Sequence, residues 1–409
     1  MIKNITEIFG LQGLILDRIE TSEKSKETIL HCRSPRVFCA CPVCGKSSKQ
    51  VHQIKHRLVR HERLNGKQVI INLKVRRFKC SNKKNCHKIF TETFPGINRK
   101  RTTKNFRLEA LSWLTRNSFN FVGYQFDISP STLTRYLLEL SNSWKDIGWD
   151  ELKTTRLGID EHSFRGRHLV ITITDLDNHK LLAILIDDRK RTLEKFLQNM
   201  PESAKNRLIE VCTDLKQSYK DSVKKLLPKA NVVADRFHVQ ELAKRNLEAV
   251  RQIVQDERGG RKIHLKQLLL ANREQLTDLE KIKLESIFKA YEKFPILREA
   301  YIIKETVRTM YNLHDRAKAE EKFKHIIMLL QTIHHSRYLD AMLRTLKRWR
   351  TEILNYFDYR TTNGFTEGCH TKIKMIKRVS FGFRNIHNYI AKMTLAFIPL
   401  IWLISHHTI

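Results

Sequence analysis

Four cysteines and a set of acids are the residues through which this 409-residue chain could do chemistry. Cys41 and Cys44 form a C-x2-C pair in "CPVCG", and Cys80 and Cys86 a C-x5-C pair in "CSNKKNC". A thiolate pair on a tight turn presents two sulfurs to one structural Zn²⁺ at about 2.3 Å, and two pairs complete a tetrahedron. Cys39 and the imidazoles of His52, His56, His61 and His87 lie close enough in sequence to compete. The acids are Asp160 in "GIDE", Asp214 in "CTD" and Glu367 in "NGFTEG", with Asp235 and His238 in "ADRFHV" as an alternative or supporting pair. Three convergent carboxylates hold hard divalent ions, Mg²⁺ with Mn²⁺ as a substitute. Two such ions in one site clamp the attacking and leaving oxygens of an in-line displacement at phosphorus.

These acids act together only if strands bring them together. "TRLGID" (155–160), "HLVITITD" (168–175) and "KLLAILIDD" (180–188) read as three strands with short polar connections, an antiparallel meander. "TLEKFLQNM" reads as a helix, "RLIEVCTD" (207–214) as a strand, "SYKDSVKKLL" as a helix and "ANVVAD" (230–235) as a strand. The order β-β-β-α-β-α-β is that of a ribonuclease-H-like α/β fold, whose first strand is central and whose fourth runs parallel beside it. Asp160 and Asp214 then end neighbouring strands about 4.8 Å apart, while Asp235 lies one strand further out, roughly 9.6 Å from the first. Asp214 is therefore preferred as the second metal ligand. Residues 237–355 carry Leu and Ile at helical spacing among many Lys and Glu, too long for a loop, and read as an inserted helical domain. Glu367 follows it, near the start of a helix whose later turns carry Lys374, Lys377 and Arg378, placed to grip DNA.

Charge points to the partner. Lys and Arg number 76 against 43 Asp and Glu, a net charge of +33, which calls for a polyanion such as nucleic acid. From Lys46 to Lys104 there are 18 Lys or Arg against Glu62 and Glu92 alone. Arg76, Arg77, Arg99, Lys100 and Arg101 are candidate phosphate contacts, each neutralised phosphate releasing counterions. Next, "FRLEALSWLT" places Phe106, Leu108, Leu111 and Leu114 at helical spacing, and "FVGYQFDIS" leads to "SPSTLTRYLLEL". Ser129 is a helix cap with Pro130 at the first helical position. The pattern predicts a helix-turn-helix, with Ser131, Thr132 and Arg135 at the start of the helix that enters the major groove. A membrane partner is excluded: no run of 18 apolar residues occurs, and "MTLAFIPLIWLI", interrupted by Pro399, reads as a buried terminal helix. The start "MIKNITEIFGLQG" lacks the apolar core of a signal peptide, so the cysteines are expected to be metal ligands in a reducing cytoplasm.

Over nearly its full length, and in the same order, the chain resembles the bacterial insertion-sequence transposases of the ISL-three family. The resemblance rests on "CPVCG", the run from Arg76 to Glu92, "GIDE", "CTDLKQSY", "ADRFHV" and "NGFTEG" through "GFRN". It implies a multidomain α+β protein: a zinc-binding domain, the zinc ribbon, over 1–100, a helix-turn-helix over 101–145, and a DDE catalytic core over 155–239 and 356–409. A helical insertion fills 240–355. By position, Asp160, Asp214 and Glu367 take the three acidic roles, with Asp235 the rival for the middle one. The implied activity is binding of terminal inverted repeats in double-stranded DNA, metal-dependent strand cleavage, and strand transfer into target DNA by a homo-oligomer. Two competing readings are a non-catalytic DNA-binding regulator and another ribonuclease-H-like nuclease, such as a junction resolvase.

Overall fold

The structure is a computed structural model. It describes residues 11, 13–22, 26–82, 84, 86–94, 96, 97, 101–142, 148–257, 259, 266–333 and 337–398. The chain divides into two compact units, one of Met1–Lys145, Ile376–Gly382 and Ala391–Ile409, the other of Asp146–Met375 and Phe383–Ile390.

The first unit opens with strands β1 (Ile15–Ser22), β2 (Glu27–Arg33), β3 (Cys39–Ala40), β4 (Ser47–Ser48), β5 (Val51–Leu64), β6 (Lys67–Lys79) and β7 (Ile89–Thr91). β5 and β6 form a long hairpin, paired antiparallel. Asn65 and Gly66 turn it with φ of 48° and 75°, the left-handed pair that a two-residue hairpin turn needs and Asn-Gly supplies. Alternation in β6 buries Val69, Ile71, Leu73 and Val75 against Leu30, Cys32 and Val59. The sheet runs β1-β2-β6-β5, with β7 added to β6, while β3 and β4 form a small separate hairpin.

Helices α1 (Lys104–Leu114), α2 (Phe119–Phe126) and α3 (Pro130–Ser141) follow. Each begins at a hydroxyl: Thr103, Ser118 and Ser129 accept bonds from the N–H groups of Phe106, Phe121 and Thr132, satisfying donors a helix start leaves open. Phe106, Leu108, Leu111, Leu114, Val122, Phe126, Leu133 and Leu137 form one apolar cluster, joined by Ala391 and Leu395 of the helix Ile386–Phe397. Gly123 lets the chain turn sharply between α2 and α3, since a Cβ there would stand 2.7 Å from the Ile128 carbonyl oxygen. The predicted terminal helix is present as far as Phe397; Pro399 and the rest of that apolar tail lie outside the described residues.

The second unit holds α4 (Trp149–Leu152), β8 (Arg156–Arg165), β9 (His168–Asp175), β10 (Lys180–Ile184), α5 (Lys190–Gln198), α6 (Glu202–Arg207), β11 (Glu210–Thr213), α7 (Gln217–Leu226) and β12 (Asn231–Ala234). The sheet order is β10-β9-β8-β11-β12. β8, β9 and β10 are antiparallel, and β11 lies parallel between β8 and β12. This is the strand order expected from the sequence. Leu157, Ile159, Ile171 and Ile173 pack on Leu193, Leu197, Tyr219 and Val223 of the covering helices.

From Arg236 the chain is helical: α8 (Arg236–Glu257), α9 (Lys266–Leu270), α10 (Asp278–Ala290), α11 (Pro295–Met310), α12 (Arg316–Thr332), α13 (Arg337–Arg348) and α14 (Arg350–Tyr359). Their apolar faces, among them Leu247, Leu284, Tyr301, Phe323, Leu346 and Ile353, belong to the same cluster as the sheet residues. Two more helices follow, α15 (Gly364–Val379) and α16 (Ile386–Phe397).

Candidate active site

Cys41 and Cys44 lie in the β3–β4 turn, Cys80 directly follows β6, and Cys86 precedes β7. Cys41 Sγ is 3.8 Å from Cys86 Sγ, and Cys44 Sγ is 3.4 Å from Cys80 Sγ. All four sulfurs lie within 4.8 Å of one another. A tetrahedral Zn²⁺ with bonds of about 2.3 Å sets its sulfurs about 3.8 Å apart, so the set fits the ion. The Gly45 N–H closes the turn onto the Cys41 carbonyl at 2.9 Å, and the Asn82 N–H donates to Cys80 Sγ at 3.4 Å. The competing groups are elsewhere: His61 is buried against Thr103 Oγ1 at 2.9 Å, His56 meets Asn72 at 3.1 Å, and Cys39 stands outside the cluster.

The acids converge in the second unit. Ile159 pairs with Thr213 and Thr213 with Ala234, so Asp160, Asp214 and Asp235 stand side by side across three parallel strands. Helix α15 is fastened over these strands. Asn363 Nδ2 donates to the Ile159 carbonyl at 3.1 Å, and its backbone N–H to Asp235 Oδ1 at 3.3 Å. Thr366 and Thr174 hydroxyls meet at 2.7 Å. Gly158 leaves room for this approach: a Cβ there would stand 2.5 Å from Thr366 Oγ1 and 2.7 Å from Asn363 Oδ1. Glu367, in the first turn of α15, is thereby brought to the acids.

The ligand atoms of Asp235, His238 and Glu367 lie within 4.8 Å of one another; Asp160 and Asp214 do not join that trio. Strand order put Asp214 nearer Asp160, and it is. What draws Glu367 toward Asp235 is the bond from the Asn363 backbone, which strand order does not reveal. Asp235 Oδ2 and His238 Nε2 are buried without a hydrogen-bond partner among the described residues. Burial pushes the Asp160 carboxyl up to about 7, with Asp214 and Asp235 adding to the shift against an opposing His238. Burial also raises Asp214, Asp235 and Glu367, helped by Glu161 at Asp214 and by Asp235 at Glu367. Crowded carboxylates that resist ionising, beside two partnerless buried ligand atoms, are a donor set suited to a cation. Oxygen ligands with one imidazole accommodate Mg²⁺ and Mn²⁺. Lys216 flanks the site, its ammonium bonding Glu161 at 2.6 Å and Asp188 at 2.8 Å.

A buried polar chain leads away from Asp160. His370 Nδ1 faces Asp160 Oδ2 at 3.5 Å, and its Nε2 meets Thr172 Oγ1 at 2.9 Å. Thr172 Oγ1 is 2.9 Å from His162 Nδ1, and His162 Nε2 is 2.7 Å from the Tyr389 hydroxyl. Burial, then Lys374 and His238, hold the His370 imidazole down to about 4, so it is neutral near pH 7. One direction orders the chain: Tyr389 O–H to His162, His162 N–H to Thr172 and Thr172 O–H to His370, which leaves the His370 Nδ1–H facing Asp160. Sequence reasoning missed His370, Thr172 and Tyr389. The available signal was that His162 shares a strand face with Asp160.

A family model described as transposase, that of the ISL3-type DDE transposases, matches residues 157–393, more than half of the chain. The chain belongs to the ISL3 transposase family. A second model, for the zinc-finger of transposases IS204, IS1001, IS1096 and IS1165, matches residues 39–86, the span of the four cysteines. The transposase for insertion sequence element IS1001 of Bordetella parapertussis is 23% identical over 408 aligned positions, 97% of this chain and 98% of the relative. The transposase for insertion sequence element IS1557 of Mycobacterium tuberculosis is 26% identical over 264 positions, 58% of each chain, in both the CDC 1551 and H37Rv strains.

The candidate DNA contacts of this ISL3-family chain differ in how free they are. Arg76 is engaged: its guanidinium pairs with Glu92 at 2.7 Å and donates to the Arg36 carbonyl at 2.7 Å, tying β6 to the segment after β7. Arg77 is half-buried and reaches Gln53 at 3.3 Å. Arg101, Ser131, Arg135, Lys374 and Arg378 are exposed, and Thr132 and Lys377 half-buried. Ser131 and Thr132 hydroxyls bond the capping Ser129 at 2.9 and 3.0 Å. Arg99 and Lys100 lie outside the described residues. Among the described residues no helix is long and apolar enough to cross a membrane.

Proposed function

We propose that this transposase binds the inverted ends of an insertion sequence and cuts and joins DNA there, with a ribonuclease-H-like core as its catalytic domain. The observation that carries the reading is the convergence of Asp160, Asp214 and Asp235 from three adjacent strands with Glu367 and His238 from the helices above. Asp160, Asp214 and Glu367 are the catalytic acids, and Asp235 and His238 complete the ligand set on the Glu367 side. Divalent ions bound there would activate an attacking water or DNA 3′-oxygen and stabilise the leaving oxygen. The chain's own part is placement. His370 presents its Nδ1 to Asp160 at 3.5 Å, and apolar strands beneath the acids keep the local dielectric low. Lys374 and Arg378 meet phosphates of the DNA.

The zinc-bearing domain over residues 1–100 and helices α1–α3, a helix-turn-helix over 101–145, recognise the ends. Ser131, Thr132 and Arg135 lie near the start of α3, where a recognition helix reads base edges. The helical insertion over 240–355 interrupts a catalytic core of 155–239 and 356–409. Joining two ends requires two active sites, so the working form is an oligomer assembled on DNA. The test is Mg²⁺-dependent cleavage of duplexes carrying the element's ends. Asp160→Asn, Asp214→Asn and Glu367→Gln are each expected to abolish cutting and leave end binding in place. Asp235→Asn is expected to cost at least the roughly 10- to 100-fold seen when a group supporting a metal ligand is lost. Undiminished cutting by the Asp160 and Glu367 variants would sink the assignment.

A further inference from the structure

Helix α15 ends at Val379 in a tight cap. The Phe381 N–H donates to the Arg378 carbonyl at 3.0 Å, and the Gly382 N–H to the Lys377 carbonyl at 3.1 Å. These two bonds define a Schellman motif, whose turn residue must be left-handed and is usually glycine. Here that residue is Phe381, with φ of 56°. A bulky side chain in this conformation is strained, whereas glycine takes it freely. The ring recovers nothing within the chain: Phe381 is 93% exposed, the most exposed of the large hydrophobic residues described. Both backbone and side chain are held in states that folding disfavours, so the reason for a phenylalanine lies outside the folded chain.

Its surroundings indicate what meets it. In "IKRVSFGFRN" (376–385), Lys377, Arg378 and Arg384 flank the ring with no acid among them, and Arg378 and Arg384 are exposed. A patch of one sign with no acid to answer it favours a polyanion over a protein as its partner. A nucleobase offers a flat apolar face between phosphates and suits both ring and cations. We propose that Phe381 is a base-stacking wedge. Its ring stacks on a base displaced from its duplex neighbour, while Arg378 and Arg384 hold the adjoining phosphates. The left-handed cap fixes the ring outward, so little motion is lost when the base arrives. This rests on the reading that the chain binds DNA.

The test uses the full chain and duplexes containing the inverted repeat that flanks its coding sequence, with 2-aminopurine at successive adenines. Wild type is expected to brighten one position, marking an unstacked base. Phe381→Gly relieves the cap and is expected to melt no lower than wild type. It should lose the fluorescence change and bind the duplex about 5- to 150-fold more weakly, the range of aromatic–base stacking. Phe381→Trp is expected to restore both. A Phe381→Gly protein with unaltered affinity and fluorescence overturns the wedge. So does a change of oligomeric state without DNA at unaltered DNA affinity, which would make the ring a protein contact. Failure of wild type to bind the duplex overturns the DNA-binding reading itself.

Discussion

Replacing Gly158 by alanine should separate catalysis from binding through a single carbon atom. The new Cβ would stand 2.5 Å from Thr366 Oγ1, 2.6 Å from Thr174 Oγ1 and 2.7 Å from Asn363 Oδ1, where ordinary contact begins at 3.4 Å. The deficit is therefore 3.4 − 2.7 = 0.7 Å to 3.4 − 2.5 = 0.9 Å. None of the three neighbours can swing into solvent, because all are fully buried. Two of them, Asn363 and Thr366, are the roots of Glu367, so the strain is relieved by lifting the start of α15 by most of an ångström. Overpacking of this kind costs ~1–3 kcal/mol, a fall in melting temperature of roughly 2–12 °C for a unit of this size. A catalytic group misplaced by about 1 Å can cost on the order of 100-fold in rate. Cleavage of end DNA at saturating Mg²⁺ is the assay, with end binding and circular dichroism as controls. The expected result is a loss of about two orders of magnitude in cleavage with binding retained. Gly158→Ala cutting at the wild-type rate would refute the idea that β8 sets the height of Glu367.

Purified protein is expected to carry about one Zn²⁺ per chain. Cys44→Ser or Cys80→Ser should lower the zinc found by elemental analysis and expose the β3–β4 hairpin to proteolysis. With Asp160 at about 7 rather than the usual 3.8, a proton competes with the cation, so the Mn²⁺ needed for half-maximal cleavage should rise as pH falls below 7, by up to about tenfold per unit. In metal-free protein the sign for stability is opposite: this raised group stabilises the fold fully below pH 3.8, and its contribution fades as pH climbs through 7. His370→Ala should slow cleavage about 10- to 100-fold, and His370→Asn, which keeps an N–H near Asp160, should recover most of it at equal protein stability.

Local signals carried the elements. Asn65-Gly66 fixes the β5–β6 hairpin, the hydroxyl before each of α1 to α3 marks a helix start, and alternating apolar residues mark β8 and β9. The zinc ligands were legible because a cysteine pair is a short-range device. The strand order followed from the sequence of elements, and with it the adjacency of Asp160 and Asp214. What escaped depends on contacts between distant positions. The Asn363 bonds to Asp235 and Ile159 decide which acid Glu367 leans toward, and no spacing rule encodes them. The chain from Asp160 through His370 and Thr172 to Tyr389 is likewise formed only once α15 and α16 meet the sheet. Arg76 looked like a phosphate contact by composition, yet Glu92 holds its charge within the fold.

The helices from Arg236 to Tyr359 connect these observations. Strand β12 is an edge of only four residues, Asn231–Ala234, and an edge strand leaves backbone groups unpaired. Helix α14, the last of these, covers it: buried Asn355 donates from Nδ2 to the Val232 carbonyl at 2.9 Å. The same helix buries Glu352, which pairs with Lys220 at 2.9 Å and Lys224 at 2.6 Å on α7. Leaving that buried carboxylate without its ammonium partners would be costly, so the pairs tie α14 to α7, which packs on the sheet. Asp235 immediately follows β12, and the segment that carries Asn363 and Glu367 immediately follows α14. This helical region therefore holds the outer acid from one side and delivers the helical acid from the other. It is part of the frame of the site, which is why its apolar core and that of the sheet are one.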